Sequence, residues 1–312
     1  MSNHRHLDYL DLAKGFGICL VVLGHSRFPL HFAIDVFHMP LFFVLAGMTF
    51  TQPAVQSFSL FLIKKIDRIL VPWVFFSILS AVVSYVIHWN KPTSFNGPLW
   101  FLQTYFCSIV IYTLLKIYCN RFISIILISL IFIFSYTDFL QALPFSLWRA
   151  LISVVYIHIG TFIPTLLSKV KWPLVVAFIF FALYAIGVML SLTFYNVEGL
   201  TYISGKVIDY NQILFWFTSI SGCMALISFC FYKNKLVFFN WCGKNSLVII
   251  LTHFPLCEYL NVLSSQILSK YNLQSVTCQL IMALFCYSVI LLCKKYLPSV
   301  TGYKSLKIFN IK

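Results

Sequence analysis

Charged residues are scarce in this 312-residue chain, since Asp, Glu, Lys and Arg together make up only 10% of it. Soluble domains average about 25% charged residues, so the scarcity excludes a water-soluble enzyme. It also excludes disordered segments and nucleic-acid-binding tails, which need polar sequence that is missing here. Hydrophobic residues supply 61% of the chain and aromatic residues 18%. This composition is typical of a polytopic membrane protein that contacts the lipid bilayer.

Acidic residues are the scarcest charged group, with 8 Asp and Glu against 22 Lys and Arg and a net charge of +14. In membrane proteins Lys and Arg accumulate in the loops on the cytoplasmic side. Most basic residues of this chain fall in every second loop if the N-terminus is placed inside. We therefore predict that the N-terminus and the C-terminus are both cytoplasmic.

Apolar stretches long enough to cross a bilayer core, at about 20 residues each, predict an all-α transmembrane bundle of about ten spans. The spans leave little chain for loops, so we predict a single transmembrane domain over 1–312 with no separate soluble domain. The longest outer loop, 195–210, is either an acceptor-facing lid or a plain connector. The predicted spans are 9–26, 36–52, 69–88, 98–116, 122–137, 148–166, 174–194, 211–231, 245–262 and 277–293.

Cys-x-x-Cys pairs are also missing, although the chain has 10 cysteines. Zinc and iron–sulfur sites use closely spaced cysteines. We therefore expect no metal, and we interpret the cysteines as small apolar packing residues.

The first predicted span contains ionisable residues, which are costly inside a membrane and indicate function. Lys14 and His25 are eleven residues apart, about 20° past three helical turns, so they share a face about 16 Å apart. Asp11 lies three residues before Lys14 and can pair with it. Alternatively, the two charges form a buried anchor and His25 only caps the helix. Small residues on the same helix permit close approach of a neighbour: Gly15, Gly17 and Gly24.

Further polar residues fall in other predicted spans. Ser246 and His253 are seven residues apart and share a face of the ninth span, which we predict lines a cavity with Asn245 nearby. About 10 Å of helical rise separates Ser246 from His253, too far for a nucleophile–base dyad. His38 opens the second predicted span at the depth of His25. It orients His25, binds the acceptor, or is an interfacial structural histidine.

Two more side chains have competing interpretations. Trp100 is a packing or interfacial aromatic, or a flat platform for a sugar ring. His158 has no companion residue that the sequence identifies, so we predict that it packs in the core.

Five segments in order resemble the acyltransferase-3 family of integral membrane acyltransferases, and most closely its fucose 4-O-acetylase-like sugar O-acetyltransferase branch. Many family members have Arg where this chain has Lys14, and Lys keeps the charge but lacks the planar fork. The segments are Asp11-Leu-Ala-Lys14-Gly-Phe-Gly-Ile with Val-Leu-Gly-His25, Phe37-His38-Met-Pro40-Leu-Phe-Phe43, Lys64-Lys65-Ile-Asp-Arg68-Ile-Leu-Val-Pro72, Pro98-Leu-Trp100-Phe-Leu102, and Gly243-Lys-Asn245-Ser246 continuing to His253.

The resemblance implies transfer of an acetyl group from cytoplasmic acetyl-CoA to a carbohydrate acceptor. That acceptor would be a sugar hydroxyl of an envelope polysaccharide, such as the O-antigen of lipopolysaccharide, or its lipid-linked precursor. The expected location is the bacterial cytoplasmic (inner) membrane, as a multi-pass protein.

The resemblance also implies roles for the polar residues. His25 would be the base that takes the hydroxyl proton, and Lys14, tuned by Asp11, would stabilise the donor or the developing oxyanion. A basic cluster at the cytoplasmic mouth of the third span would hold the phosphates of coenzyme A, or reflect the positive-inside bias alone: Lys64, Lys65 and Arg68.

The main alternative from another class is a multi-span secondary transporter of a small anion or glycan precursor. Transporters often contain internal repeats with matching broken helices. The chain has no second copy of the Asp-x-x-Lys…His segment, which favours the enzyme. A membrane polysaccharide polymerase or ligase is a further alternative, but such enzymes usually have a larger outer loop.

Overall fold

The structure, a computed structural model, describes residues 2–25, 30–87, 97–134, 147–195, 212–267 and 274–301. These residues are almost entirely helical and include no β-strand, so the predicted all-α class is confirmed. The helices are α1 Ser2–His25, α2 His31–Met48, α3 Phe58–Lys65, α4 Val71–Ile87, α5 Trp100–Tyr118, α6 Arg121–Phe134, α7 Leu147–Leu167, α8 Pro173–Tyr195, α9 Gln212–Lys233, α10 Val237–Lys244, α11 Ser246–Ile267 and α12 Gln274–Tyr296. Val55–Ser57 and Gly97–Leu99 form 3-10 turns, and Ile66–Leu70 is π-helical.

Five helices of the described segments are long and apolar enough to cross a membrane. Two further apolar helical stretches, Arg121–Phe134 and Ser246–Pro255, are shorter. The total of ten spans and the side of each terminus stay predictions. The five candidate spans are His31–Met48, Gly97–Tyr118, Leu147–Leu167, Pro173–Thr193 and Ile213–Lys233.

The start of α2 differs from the prediction. The helix begins at His31, so His38 lies well inside it and does not open it. The predicted span, 36–52, began after Asp35, and it therefore missed the first turns of the helix. These turns contain the ionisable residues His31 and Asp35 beside apolar ones.

The chain divides into two compact units. Unit 1 is formed by the described residues of Met1–Gly24, Pro29–Gln52 and Cys107–Lys244, and unit 2 by those of His25–Phe28, Pro53–Phe106 and Asn245–Lys312.

Unit 1 is held together by close helix contacts, among them the contact between α2 and α7. A Cβ atom on Gly47 would overlap the carbonyl oxygen of Ile157, and one on Gly160 would overlap that of Val44. The two backbones therefore touch, as small residues allow in membrane bundles. Elsewhere in the unit, the Tyr156 ring stacks on Trp216 with ring centroids 4.3 Å apart.

A left-handed residue ends α9. Asn234 has φ 63° and its backbone N–H donates to the carbonyl oxygen of Cys230 at 2.7 Å. Asn tolerates this conformation better than most residues and commonly ends helices in this way. The turn allows α10 to start at Val237, only four residues after α9 ends.

In unit 2, α11 is the central element. It packs against α12, α4 and the 3-10 turn Gly97–Leu99. On this turn, a Cβ atom at Gly97 would lie 3.6 Å from the Phe254 ring, an ordinary contact distance.

The α2–α7 contact gives a test of the fold. Gly160→Ala is expected to lower the free energy of unfolding by about 1–3 kcal/mol, because the added methyl group forces the two backbones apart. Thermal unfolding of the purified protein in detergent measures the effect. Gly97→Ala is the matched control, and equal melting temperatures for the two variants would contradict the backbone contact.

Candidate active site

The polar residues of the first predicted span all lie on α1, which is continuous from Ser2 to His25. Asp11 and Lys14 form the expected pair, with Oδ1 and Nζ 3.5 Å apart. Their side chains are 20% and 34% exposed, so water screens part of the attraction. The pair therefore fixes the position of the Lys14 ammonium more than it stabilises the fold.

Two glycines bring α1 and α10 of unit 1 into backbone contact. A Cβ atom on Gly15 would overlap the carbonyl oxygen of Phe239, and one on Gly243 would overlap that of Asp11. The Phe16 and Phe239 rings stack with centroids 3.9 Å apart. Gly15 therefore permits the close approach of a neighbouring helix, as expected, and that helix is α10. The contact holds in place the turn of α1 that carries Asp11 and Lys14.

Asn240 adds a polar link to this contact. Its Nδ2 donates to the backbone carbonyl of Asp8 at 2.6 Å, and its Oδ1 accepts from the N–H of Leu236 at 2.8 Å. One buried amide thus closes the start of α10 and ties α10 to α1. Sequence reasoning missed Asn240, because no local pattern connects residues 232 positions apart.

His25 is the last residue of α1 and meets α11 in unit 2. Its ring centroid lies 5.4 Å from that of His253 and 5.2 Å from that of Phe254, which it contacts edge to face. Two of the histidines singled out in the sequence are therefore neighbours. Phe254 was missed, although it directly follows His253 in the chain.

The protonation of His253 follows from its partners. The side chain is fully buried, and its Nδ1 lies 2.9 Å from the carbonyl oxygen of Ile249 and 3.1 Å from that of Ile250. A carbonyl oxygen only accepts, so Nδ1 carries the proton and donates. In the neutral ring Nε2 is then the acceptor, and the orientation of the imidazole is fixed by the helix backbone.

The predicted donor-binding cations lie at the π-helical segment of unit 2: Lys64 and Lys65 directly precede it, and Arg68 lies within it. Lys64 and Arg68 are exposed, whereas Lys65 is partly buried and its Nζ lies 5.5 Å from the Phe61 ring centroid. Burial, and then the nearby charge of Arg68, lower the pKa of Lys65. π-Helical turns are rare and occur frequently at functional sites. Here the turn gives two neighbouring cations that an anion would stabilise.

The remaining predicted site residues are distributed over both units. In unit 1, the Nδ1 of buried His38 donates to the carbonyl oxygen of Ile34 at 2.8 Å. In unit 2, Trp100 begins α5, buried Asn245 joins α10 to α11, and half-buried Ser246 begins α11.

The sequence identified no companion for His158, but the structure shows one. Its Nδ1 lies 3.1 Å from the hydroxyl of Tyr112 in unit 1, so the imidazole has a polar companion. Within the part of the chain that the structure describes, no three His, Cys, Asp or Glu side chains form a group that could hold a metal ion.

The described residues are almost entirely helical, and five of their helices are long and apolar enough to cross a membrane. Two of their histidines, His25 and His253, contact each other. A family model described as an acyltransferase domain matches residues 7–293. The chain therefore belongs to the acyltransferase-3 family, and it is a membrane acyltransferase. Searches of curated proteins and of solved structures found no match.

The neighbouring cations Lys65 and Arg68 at the π-helical segment predict a lowered pKa for Lys65. Lys65 is expected to lose its proton below the ordinary pKa of 10.5, because burial and Arg68 both disfavour its charged form. NMR of the ¹³C-dimethylated protein measures this titration. Arg68→Gln is expected to raise the pKa of Lys65, whereas Lys171→Gln, in an exposed loop, leaves it unchanged. A pKa of Lys65 at or above 10.5 in the parent protein would contradict the effect of burial and of the nearby Arg68 charge.

Proposed function

We propose that this protein is an O-acyltransferase that moves an acetyl group from cytoplasmic acetyl-CoA to a sugar hydroxyl. The acceptor is an envelope polysaccharide, such as the O-antigen of lipopolysaccharide, or its lipid-linked precursor. The observation that carries the proposal is the contact of His25 with His253 at the end of α1. Membership of the acyltransferase-3 family supports the acyl transfer, and the motifs of the sugar O-acetyltransferase branch support the acceptor class.

The proposed reaction needs a base because a sugar hydroxyl is a weak acid. His25 takes the hydroxyl proton as the oxygen attacks the thioester carbonyl. A C–O bond forms, the C–S bond breaks, and the proton passes to the sulfur of coenzyme A. A partly exposed imidazole suits both transfers, because one ring nitrogen can accept a proton and then return it.

His253 acts in this proposal as a positioning residue. Its Nδ1–H is committed to the carbonyls of Ile249 and Ile250, so the ring cannot turn without losing these bonds. A fixed imidazole beside His25 limits the orientations that the His25 ring can adopt. Phe254 limits them from a second direction.

Lys14 stabilises negative charge in the proposed mechanism, either on the donor or on the oxygen of the tetrahedral intermediate. Asp11 holds the Lys14 ammonium in place at 3.5 Å. Since Lys lacks the planar fork of Arg, Lys14 acts as a point charge.

The other candidate residues bind the substrates. Lys65 and Arg68, with Lys64 beside them, hold phosphate groups of coenzyme A. Crowding of the two cations supports this role, because it is relieved when an anion binds. We propose that four further residues bind the acceptor or line the cavity: His38, Trp100, Asn245 and Ser246.

We also propose about ten spans, both termini in the cytoplasm, and a location in the bacterial inner membrane. The excess of Lys and Arg in alternate loops supports this orientation. A transporter is not retained as an alternative, because the chain belongs to a family of acyltransferases.

His25→Ala is expected to lower acetyl transfer by about 100- to 10,000-fold, because the general base is lost. The assay follows labelled acetyl from acetyl-CoA to candidate glycans with the purified full-length protein. His31→Ala, which removes an exposed histidine at the start of α2, serves as the control and is expected to keep the parent rate. Unchanged transfer by His25→Ala would refute the assignment of the base.

The donor-binding role is tested by kinetics. Lys65→Gln and Arg68→Gln are each expected to raise KM for acetyl-CoA about tenfold with a smaller effect on kcat, because a charge-assisted hydrogen bond is lost. Lys171→Gln removes a basic residue of another loop and should change neither constant. A fall in kcat at unchanged KM would place these residues outside the donor site.

A further inference from the structure

Unit 1 contains a polar cluster that the proposed mechanism does not use. It consists of Tyr112 and Lys116 on α5 and His158 on α7, and we call it the Lys116 cluster. The Tyr112 hydroxyl lies 3.1 Å from Nδ1 of His158. The Lys116 ammonium lies 5.4 Å from the centroid of the Tyr112 ring.

The surroundings of the cluster hold it in place. The Phe50 ring packs edge to face on Tyr112 at 4.9 Å, and Phe162 packs in the same way on His158 at 5.0 Å. Gln52 Nε2 donates to the backbone carbonyl of Lys116 at 2.9 Å, which fastens the end of α5. Tyr112 is fully buried, whereas Lys116 and His158 remain partly exposed. Lys116 and His158 therefore both have surface that is open to a ligand.

The direction of Lys116 is unusual for a lysine in the last turn of an apolar helix. Such lysines usually extend past the helix end toward water, where the helix dipole also favours a cation. The ammonium of Lys116 lies instead over the ring of Tyr112, one turn back along α5. The aromatic ring attracts the cation but does not neutralise it.

The described neighbours of this cation do not neutralise it. Arg121 lies close enough to repel the charge of Lys116, and His158 lies within range of the same charge. Among the described residues, no carboxylate forms an ion pair with Lys116 within 4.0 Å. A partly buried cation without a carboxylate partner is best stabilised by an anion from outside the chain.

We infer that the Lys116 cluster is a binding site for a phosphate group of a water-soluble ligand. We assign Tyr112 as the donor to Nδ1 in their 3.1 Å hydrogen bond. Neutral His158 then carries its proton on Nε2 and offers one N–H donor beside the ammonium. Phosphate has several acceptor oxygens and more than one negative charge, and it can therefore satisfy Lys116, His158 and Arg121 together. Either inorganic phosphate or a phosphate ester of coenzyme A provides this chemistry. The inference does not depend on the proposed sugar acceptor.

Binding of inorganic phosphate to the full-length protein in phosphatidylcholine nanodiscs tests the inference by calorimetry. Lys116→Gln is expected to weaken binding about fivefold or more, the effect of one lost surface cation. His158→Phe, which keeps the aromatic packing, is expected to weaken it as well, and Lys116→Arg to restore it. Lys233→Gln removes a cation from the last turn of α9 and is the matched control. Thermal unfolding identifies any variant that fails to fold.

Competition experiments identify the source of the phosphate. If coenzyme A displaces inorganic phosphate and dephospho-coenzyme A does so more weakly, the site binds the 3′-phosphate of coenzyme A. If neither competes, the ligand is free phosphate. The inference is overturned if the parent protein does not bind phosphate, if Lys116→Gln and His158→Phe bind it as tightly as the parent, or if only nanodiscs with phosphatidylglycerol show an effect at Lys116.

Discussion

Backbone contact between α1 and α10 is the interaction on which the candidate active site depends. It is possible because Gly15 and Gly243 have no Cβ atom that would separate the two helices. Asn240 then reaches the carbonyl of Asp8, and Phe16 stacks on Phe239. The turn of α1 with the Asp11–Lys14 pair is therefore anchored by packing and hydrogen bonding. The position of the charge pair therefore depends little on the attraction between Asp11 and Lys14 themselves.

Two buried histidines of the described segments satisfy their Nδ1 atoms through the helix backbone. His38 and His253 each donate from Nδ1 to the carbonyl four residues earlier. In apolar surroundings an unsatisfied polar group is costly, and the preceding turn offers the nearest acceptor. The arrangement fixes the tautomer and the ring direction of both residues. His25, at the end of α1, is partly exposed, which agrees with the role of a base that we propose for it.

Acidic residues are too few to neutralise the cations of this chain. Lys14 has Asp11, but Lys65 lies beside Arg68 and Lys116 lies near Arg121 and His158. Partly buried cations that are crowded together are disfavoured unless anions bind them. Both basic clusters therefore suit the phosphate groups that we propose as their ligands.

The sequence by itself determined the helical class, the position of most helices and the polar face of α1. These properties depend on hydropathy and on a repeat of 3.6 residues per turn, both of which are local. The contact of His25 with His253, the bond between Tyr112 and His158, and the link from Asn240 to Asp8 join residues far apart in the chain, and only tertiary packing decides which of them meet. The sequence did not predict the early start of α2 at His31 or the π-helical turn at Ile66–Leu70. An apolar window stops at ionisable residues such as Asp35, and it contains no information about backbone hydrogen bonding.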